Sequence, residues 1–291
     1  MNGPLTEPSA GPFSGADRPV LLSTKEVASF VTHGFLRLEA VVPPALAEAA
    51  LAELAGGGPA SPYRAAQAAP QARWPGRPLD ELWRDSPALG PALRLPRVAG
   101  AIESLLGRGA RYDHHYAHVI APGQNWSQPW HADAVLDPRP LAFDIQLLFF
   151  FHDTPREMGG TMLLPGSHLR RVNESDVGRY QNFVGQLATV CSAGTLVICH
   201  HGLWHCGQPN RTNRPRTMFK LRLGPAGPQR RSWDLADLDD PAVGDVLRHE
   251  HPWTGSESRL EIVNRIKLWR HLTGDPTFDV DYWLTRMTER G

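Results

Sequence analysis

Two histidines and one aspartate have the types and spacing to bind a metal ion together. His131 and Asp133 are separated by one residue, so on an extended segment both side chains point to the same side. His205 follows an apolar segment and a turn, which could return it to the same place. Two imidazoles and a carboxylate on one face of an ion form the ligand set of non-heme Fe(II) oxygenases. His200 and His201 compete with His205 for the second histidine position.

A further candidate is Arg216, which stands eleven residues after His205 on the next alternating segment. Its planar guanidinium can bind a carboxylate through two parallel hydrogen bonds, which lysine cannot do equally well. Lys220 and Arg222 lie four and six residues after Arg216, so on a strand all three side chains point to the same face. They either extend its positive face or, as is more common, lie in solvent at the end of a strand. The spacing is therefore compatible with a metal centre beside a site for an acidic ligand, whereas H-x-D by itself is also common in surface loops.

Short apolar or alternating runs, separated by Pro and Gly, must position these residues. They begin at about residue 111, and no helical repeat of about ten residues separates most of them, which argues against a βαβ sheet. Many short strands with turn signals are typical of a sandwich, barrel or jelly roll. The runs lie at 112–120, 142–152, 161–164, 188–190, 195–199 and 216–223.

Helices are predicted on both sides of this β-region. Capping residues, apolar periodicity and terminal glycines place them at 25–31, 45–54, 95–106 and 257–272, with a short strand at 34–38. Residues 1–20 are rich in Gly, Pro and Ser and are expected to form a disordered tail. We expect residues 21–291 to form a single domain, and we divide it into an N-terminal helical buttress at 21–110, a core at 111–224 and a C-terminal extension at 225–291.

Composition excludes several classes of protein. The 291 residues carry thirty basic and thirty acidic side chains, which argues against a broad nucleic-acid or polybasic membrane surface. Three cysteines without C-x-x-C spacing predict neither a disulfide scaffold nor a structural zinc site. The sequence has neither a signal-peptide pattern nor an apolar run of about 20 residues. A soluble cytoplasmic protein, monomer or homodimer, is the expectation.

Three motifs together resemble the phytanoyl-CoA dioxygenase family. The first is H-x-D at 131–133, and the second is Gly159-Gly160-Thr161 leading into Pro165-Gly166-Ser167-His168. The third is W-H-x-G-x-x-N-x-x-x-x-x-R at 204–216, which favours His205 over His200 and His201. The resemblance runs from about residue 24 to about residue 223, and the order and spacing of the motifs make it specific.

The resemblance implies a double-stranded β-helix, a jelly-roll core like that of cupins, that uses Fe²⁺, 2-oxoglutarate and O₂. His131, Asp133 and His205 match the iron ligands, and Arg216 matches the arginine that binds the distal carboxylate of 2-oxoglutarate. We also assign Gln146 and Thr161 to cosubstrate binding.

The chain departs from the family at two positions. Leu148 stands where many members have Trp, and Gly207 stands where a hydroxyl is common.

Other residues near these motifs leave alternatives open. The strand histidines before the site are His114, His115 and His118, and either one of them lines the substrate pocket or all make ordinary hydrogen bonds. Trp126 and Trp130 either stack on a substrate or pack in the protein.

The function implied is oxidation of a small organic molecule, with release of succinate and CO₂. Related halogenating enzymes replace the carboxylate ligand by a small residue, so the presence of Asp133 implies hydroxylation or another oxygenase outcome. The abundance of Arg, Ala, Pro and Gly is typical of a GC-rich genome and suggests bacterial secondary metabolism. The alternatives are a non-catalytic jelly-roll protein that binds a metal or ligand, and a redox-inert cupin enzyme such as an isomerase.

Overall fold

A computed structural model describes residues 18–56, 76–133, 139, 141–170 and 182–280. Residues 1–17 of the predicted tail therefore lie outside the described residues. Val20 precedes the first helix, and its amide donates a hydrogen bond to the carbonyl of Pro96 (2.8 Å).

A five-stranded antiparallel sheet forms the larger layer of the core. Its strands are Phe35–Leu38 (β1), Arg111–Ile120 (β2), Ile145–Phe150 (β3), Thr195–His200 (β6) and Arg216–Gly224 (β8). The strand order is β1-β6-β3-β8-β2, so the two longest strands, β8 and β2, pair at one edge.

A second antiparallel sheet has three short strands. They are Thr161–Leu163 (β4), Leu187–Ala188 (β5) and His205–Gly207 (β7), in the order β5-β4-β7. Thr161 pairs with Gly207 and Leu163 pairs with His205, so the glycine-rich motif and the W-H-x-G motif are neighbours.

The central strand β3 is buried on both of its faces. Ile145, Leu147 and Phe149 face the helices, whereas Leu148 and Phe150 pack with Leu163 of the smaller sheet. This explains why the segment is continuously apolar except for one glutamine, because a strand covered on both sides shows no alternation. The observed architecture is mainly β with flanking helices, as predicted.

Six α-helices flank the sheets in the described part of the chain. They are Thr24–His33 (α1), Pro44–Ala55 (α2), Leu89–Arg94 (α3), Pro96–Leu106 (α4), Pro241–Leu247 (α5) and Gly255–Thr273 (α6). The four predicted helices are present, and the two short ones, α3 and α5, were not predicted. None of the described helices has the length and apolar content needed to cross a bilayer.

The carbonyls at the end of α1 are bonded by residues from distant parts of the chain. His168 Nε2 contacts the carbonyl of Val31 (3.1 Å), and His251 Nε2 contacts that of Thr32 (3.0 Å). The amide of Gly166 donates to the carbonyl of His33 (3.0 Å). The last carbonyls of a helix have no partner within the helix. Here the P-G-S-H turn and the C-terminal extension supply hydrogen-bond partners for them.

Candidate metal centre and cosubstrate pocket

The structure brings His131, Asp133 and His205 together. One potential ligand atom from each lies within 4.8 Å of the others. His131 Nε2 lies 3.9 Å from Asp133 Oδ1, and His205 Nε2 lies 3.6 Å from Asp133 Oδ2. The amide of each histidine donates to the carbonyl of the other, at 3.0 and 2.9 Å, so a backbone bridge fixes the two rings at a centroid distance of 4.5 Å.

Backbone carbonyls determine which imidazole nitrogen is available. Nδ1 of His131 lies 2.9 Å from the carbonyl of Pro129, and Nδ1 of His205 lies 2.9 Å from that of Leu203. A carbonyl only accepts, so each Nδ1 carries a proton and, in the neutral ring, each Nε2 keeps its lone pair. Burial lowers the pKa of His205 to about 4, which keeps this imidazole neutral at physiological pH.

Asp133 is the anion of the cluster. Burial alone would raise the pKa of its carboxyl, but His205, which is charged only below about pH 4, and the Lys220 ammonium outweigh this effect and hold the pKa well below its usual value. Two neutral nitrogens and one ionised carboxylate are donors that suit a divalent first-row metal such as Fe(II). The donor set therefore fits the iron that the resemblance implies.

Lys220 is not a solvated strand end, contrary to the more common alternative. Its side chain is buried and lines one pocket together with His131, Asp133 and His205. Its Nζ donates a hydrogen bond to Asp133 Oδ2. Arg222 is also largely buried, and it forms ion pairs with Asp144 (2.8 Å) and Asp113 (3.2 Å). The sequence showed the parity of these residues but not their burial, because burial depends on which strands pair with β8.

Arg216 is a buried cation without an acidic partner among the described residues. Its side chain is 1% exposed, one Nη donates to the carbonyl of Gly159, and Nε has no hydrogen-bond partner. Burial lowers the pKa of this guanidinium to about 10, so it stays protonated at neutral pH. An unpaired buried charge is costly, and Arg216 lines the pocket that contains His131 and His205. It is therefore placed to bind an anion beside the metal cluster.

The two other predicted cosubstrate residues differ in position. Thr161 is buried and lines the pocket directly. Gln146 is 1% exposed and shares the inner face of β3 with Leu148, but it is not among the lining residues; its Nε2 has no partner in the described structure. Among the described residues, the pocket is lined by His118, Ile120, Gln128, His131, Asp133, Leu148, Thr161, His205, Gly207, Arg216, Met218 and Lys220.

Gln128 is a pocket residue that sequence reasoning did not find. Its Oε1 accepts a hydrogen bond from the amide of Gly207 (3.0 Å), and a Cβ at Gly207 would lie 2.9 Å from that oxygen. This contact accounts for glycine at a position where the family often has a hydroxyl. A glutamine between two tryptophans gave no periodic signal that could have indicated the contact.

The packing bears on the remaining alternatives. His118 lines the pocket, whereas Trp130 packs edge-on against Phe183 (5.3 Å) and Trp126 is 59% exposed.

The two histidines that competed with His205 lie outside the metal cluster. His200 stacks on His201 (4.6 Å), and His201 Nδ1 contacts the backbone of Asp144 (3.0 Å).

Comparison with known proteins decides the family. The family model for phytanoyl-CoA dioxygenase (PhyH) matches residues 30–218. The chain belongs to the phytanoyl-CoA dioxygenase family. No curated protein matches its sequence. Membership confirms the enzyme class and the cofactors expected from the sequence: this family member is a non-heme Fe(II)- and 2-oxoglutarate-dependent dioxygenase.

Solved structures share the fold at low sequence identity. HygX from Streptomyces hygroscopicus, with nickel and 2-oxoglutarate bound, aligns at a TM-score of 0.54 and 16% identity over 70% of this chain and 87% of HygX. The non-heme alpha ketoglutarate dependent carbocyclase SnoK aligns at 0.53 and 20% identity, over 79% of this chain and 93% of SnoK. The non-heme alpha ketoglutarate dependent epimerase SnoN aligns at a TM-score of 0.51 and 21% identity, over 80% of this chain and 93% of SnoN. These alignments confirm the predicted jelly-roll fold class.

Proposed function

We propose that this dioxygenase hydroxylates, or otherwise oxidises, a small organic molecule, with release of succinate and CO₂. In this proposal His131, Asp133 and His205 are the catalytic metal ligands. The observation that carries it is the orientation of the two imidazoles. Each Nδ1 is held by a backbone carbonyl, and each Nε2 faces the Asp133 carboxylate, at 3.9 and 3.6 Å.

The pocket side chains would bind and orient the cosubstrate. Arg216 would hold the distal carboxylate of 2-oxoglutarate, because its buried guanidinium has unused donors in the same pocket. Thr161 would add a polar contact from β4, and Gln146, which lies outside the lining on β3, would contribute through its unpartnered Nε2. Leu148 and Met218 would keep water from the reacting atoms. Iron and 2-oxoglutarate, when bound, supply the oxidising power.

Lys220 and a metal ion would compete for the same oxygen of Asp133. We propose that the ammonium leaves Oδ2 when the metal binds and remains in the pocket as a second cation beside Arg216. Such a cation favours an acidic group on the cosubstrate or on the substrate.

The oxidation would not be a halogenation, because Asp133 keeps a carboxylate at the position that halogenating relatives leave open. The carbocyclase SnoK and the epimerase SnoN come from nogalamycin biosynthesis, which supports a role in bacterial secondary metabolism. The composition typical of a GC-rich genome points the same way.

We also propose that residues 21–291 act as one domain, as a monomer or homodimer in the cytoplasm, without a nucleic-acid or membrane partner. The shared core supports the single domain, because α1 and α4 pack with α5 and α6 in one apolar cluster. The three cysteines, Cys191, Cys199 and Cys206, are all free thiols, as is usual in a reducing compartment.

The test has two parts. Anaerobic addition of Fe(II) and 2-oxoglutarate should produce the weak visible charge-transfer absorption of a 2-oxoglutarate complex. Under air, candidate small molecules should stimulate succinate release. Asp133→Ala should abolish succinate release, because it removes the only anionic ligand of the cluster.

Asp239→Ala, at an exposed position, is the matched control and should retain full turnover. Undiminished succinate release by Asp133→Ala would overturn the ligand assignment. A chain that binds neither Fe(II) nor 2-oxoglutarate would favour the non-catalytic jelly-roll alternative.

A further inference from the structure

A second histidine cluster lies outside the pocket, at the junction between α1 and the C-terminal extension. His33 is the last residue of α1, and His249 and His251 follow α5. One ring nitrogen from each lies within 4.8 Å of the other two. The ring centroids are separated by 4.9 Å (His33 to His249), 5.6 Å (His33 to His251) and 4.9 Å (His249 to His251).

The ring nitrogens have lone pairs to offer. His251 Nε2 contacts the carbonyl of Thr32, so this nitrogen carries the proton and Nδ1 keeps the lone pair. His33 and His249 make no side-chain hydrogen bond within the described residues, although both rings are in contact with other aromatic rings. The three rings meet edge to face, with interplanar angles of 70 to 85°, and do not stack.

The surroundings hold these rings in place and keep them uncharged. A Cβ at Gly166, which has a φ of +75°, would lie 2.6 Å from the His251 ring, so the P-G-S-H turn needs glycine where this imidazole packs. Burial lowers the pKa of His33 and of His251 to about 4, and it also lowers that of His249.

The nearest fixed cation does not exclude a metal ion. Arg265 is 1% exposed and donates to the carbonyls of Leu247 and His249, at 2.9 and 2.6 Å. Its charge is compensated by Glu261, which forms a buried ion pair with it one turn earlier on α6. The cluster therefore combines three neutral nitrogen donors with a locally balanced charge.

We propose that His33, His249 and His251 bind a divalent cation of the zinc type through three imidazole nitrogens. Three histidines and a solvent molecule complete a tetrahedral zinc site, and imidazole is a preferred ligand of this ion. The bound ion ties the end of α1 to the segment of the C-terminal extension between α5 and α6, so its role is to fix that extension against the N-terminal helix. This site is separate from the catalytic cluster and does not rest on the proposed function.

Zinc stoichiometry in the full chain, freed of any affinity tag, tests the proposal. Calorimetry with Zn²⁺ as the probe is carried out on four proteins: the unmodified chain, Asp133→Ala, His249→Ala and the double variant. His249 is exposed, so its replacement leaves the fold intact. We expect two equivalents for the unmodified chain, one for each single variant and none for the double variant.

The affinity lost with His249→Ala should exceed the roughly 10- to 100-fold that removal of an outer partner of a metal ligand costs. Zn²⁺ should also raise the Tm of Asp133→Ala but not that of the double variant. His271→Ala, on the distant part of α6, should keep both equivalents. If His249→Ala binds as much Zn²⁺ as the unmodified chain, or if Asp133→Ala binds none, the three histidines serve only packing and helix capping.

Discussion

Replacement of Arg216 by methionine separates cosubstrate binding from folding. The guanidinium is buried in the pocket, has no acidic partner among the described residues, and has an Nε without a hydrogen-bond partner. If it binds the distal carboxylate of 2-oxoglutarate, Arg216→Met leaves a desolvated carboxylate without its cation. Arg216→Lys keeps the charge but not the bidentate geometry.

The burial of Arg216 sets the expected loss of 2-oxoglutarate affinity in the two variants. Removal of one partner from a buried ion pair costs about 3–5 kcal/mol, and about 1.4 kcal/mol is a factor of ten. The Kd of 2-oxoglutarate should therefore rise by about 150- to 5,000-fold in Arg216→Met. Loss of one charge-assisted hydrogen bond costs about 1.5–3 kcal/mol, so Arg216→Lys should weaken binding by about 10- to 150-fold.

Stability should respond differently. Arg216→Met removes a charge whose burial is unfavourable, as the lowered pKa of about 10 indicates. It also removes the hydrogen bond to the carbonyl of Gly159, which is worth about 1 kcal/mol. Because these contributions oppose each other, the free energy of unfolding without ligands should fall by no more than about 1 kcal/mol.

The assay is anaerobic titration of the Fe(II)-loaded protein with 2-oxoglutarate, followed by the visible charge-transfer absorption. Urea unfolding of the metal-free protein gives the stability. Arg214→Met is the matched control, because Arg214 is exposed two residues earlier, and it should bind 2-oxoglutarate normally. An Arg216→Met protein that binds 2-oxoglutarate as tightly as Arg214→Met would refute the assignment.

Three further predictions concern the metal ligand, the backbone and pH. Lys220→Met should tighten Mn²⁺ binding at least tenfold, measured by calorimetry, because the Lys220 ammonium competes with the metal for Asp133. Two unit charges about 4 Å apart interact by about 4 kcal/mol at an effective dielectric constant of about 20, so removal of the ammonium is a large effect. Gly159→Ala should lower the free energy of unfolding by about 1–3 kcal/mol in urea, since Gly159 has a φ of +70° and a Cβ there would overlap a carbonyl. The free energy of unfolding should also fall as pH decreases from about 6.5 to 4. Burial lowers the pKa of His115 to about 4 and that of His168 to about 3, so the unfolded chain takes up protons in this range while the folded chain does not.

Each of these predictions has a control or a contradictory outcome. Lys267→Met, at an exposed position on α6, should leave Mn²⁺ affinity unchanged, and equal affinities in the two lysine variants would contradict the competition. Gly227→Ala should be neutral, because a Cβ at this position would have no atom within 4 Å and the φ of Gly227 is not positive. A stability that is flat between about pH 4 and 6.5 would show that the buried histidines accept protons without unfolding.

Local patterns predicted most of the fold. Continuous or alternating apolar runs located β2, β3, β6 and β8, because strand periodicity is a property of the chain itself. Capping residues and glycines located α1 and α6 in the same way. The two helices that were not predicted, α3 and α5, have six and seven residues, too few for an amphipathic repeat to show.

The contacts between distant segments could not be predicted. Gln128 and Gly207 meet only because the segment that leads to His131 pairs with β7 in antiparallel orientation, and nothing in either local sequence indicates that pairing. Lys220 had the expected parity, but its burial depends on the pairing of β8 with β2 and β3. Gln146 is buried on the inner face of β3, as its position in the alternation predicted. Its absence from the pocket lining depends on how the two sheets pack.

The sequence by itself determined the residue types and the order of the metal cluster, because H-x-D, His205 and Arg216 are recognisable by chemistry and spacing. The tertiary structure decided the protonation pattern of that cluster and the neighbours of each ligand. The carbonyls of Pro129 and Leu203 orient the imidazoles, and Lys220 reaches Asp133 from a strand 87 residues away. The physical reason is that ligand type is a property of one side chain, whereas a lone pair, an ion pair or a buried charge depends on the atoms that folding brings beside it.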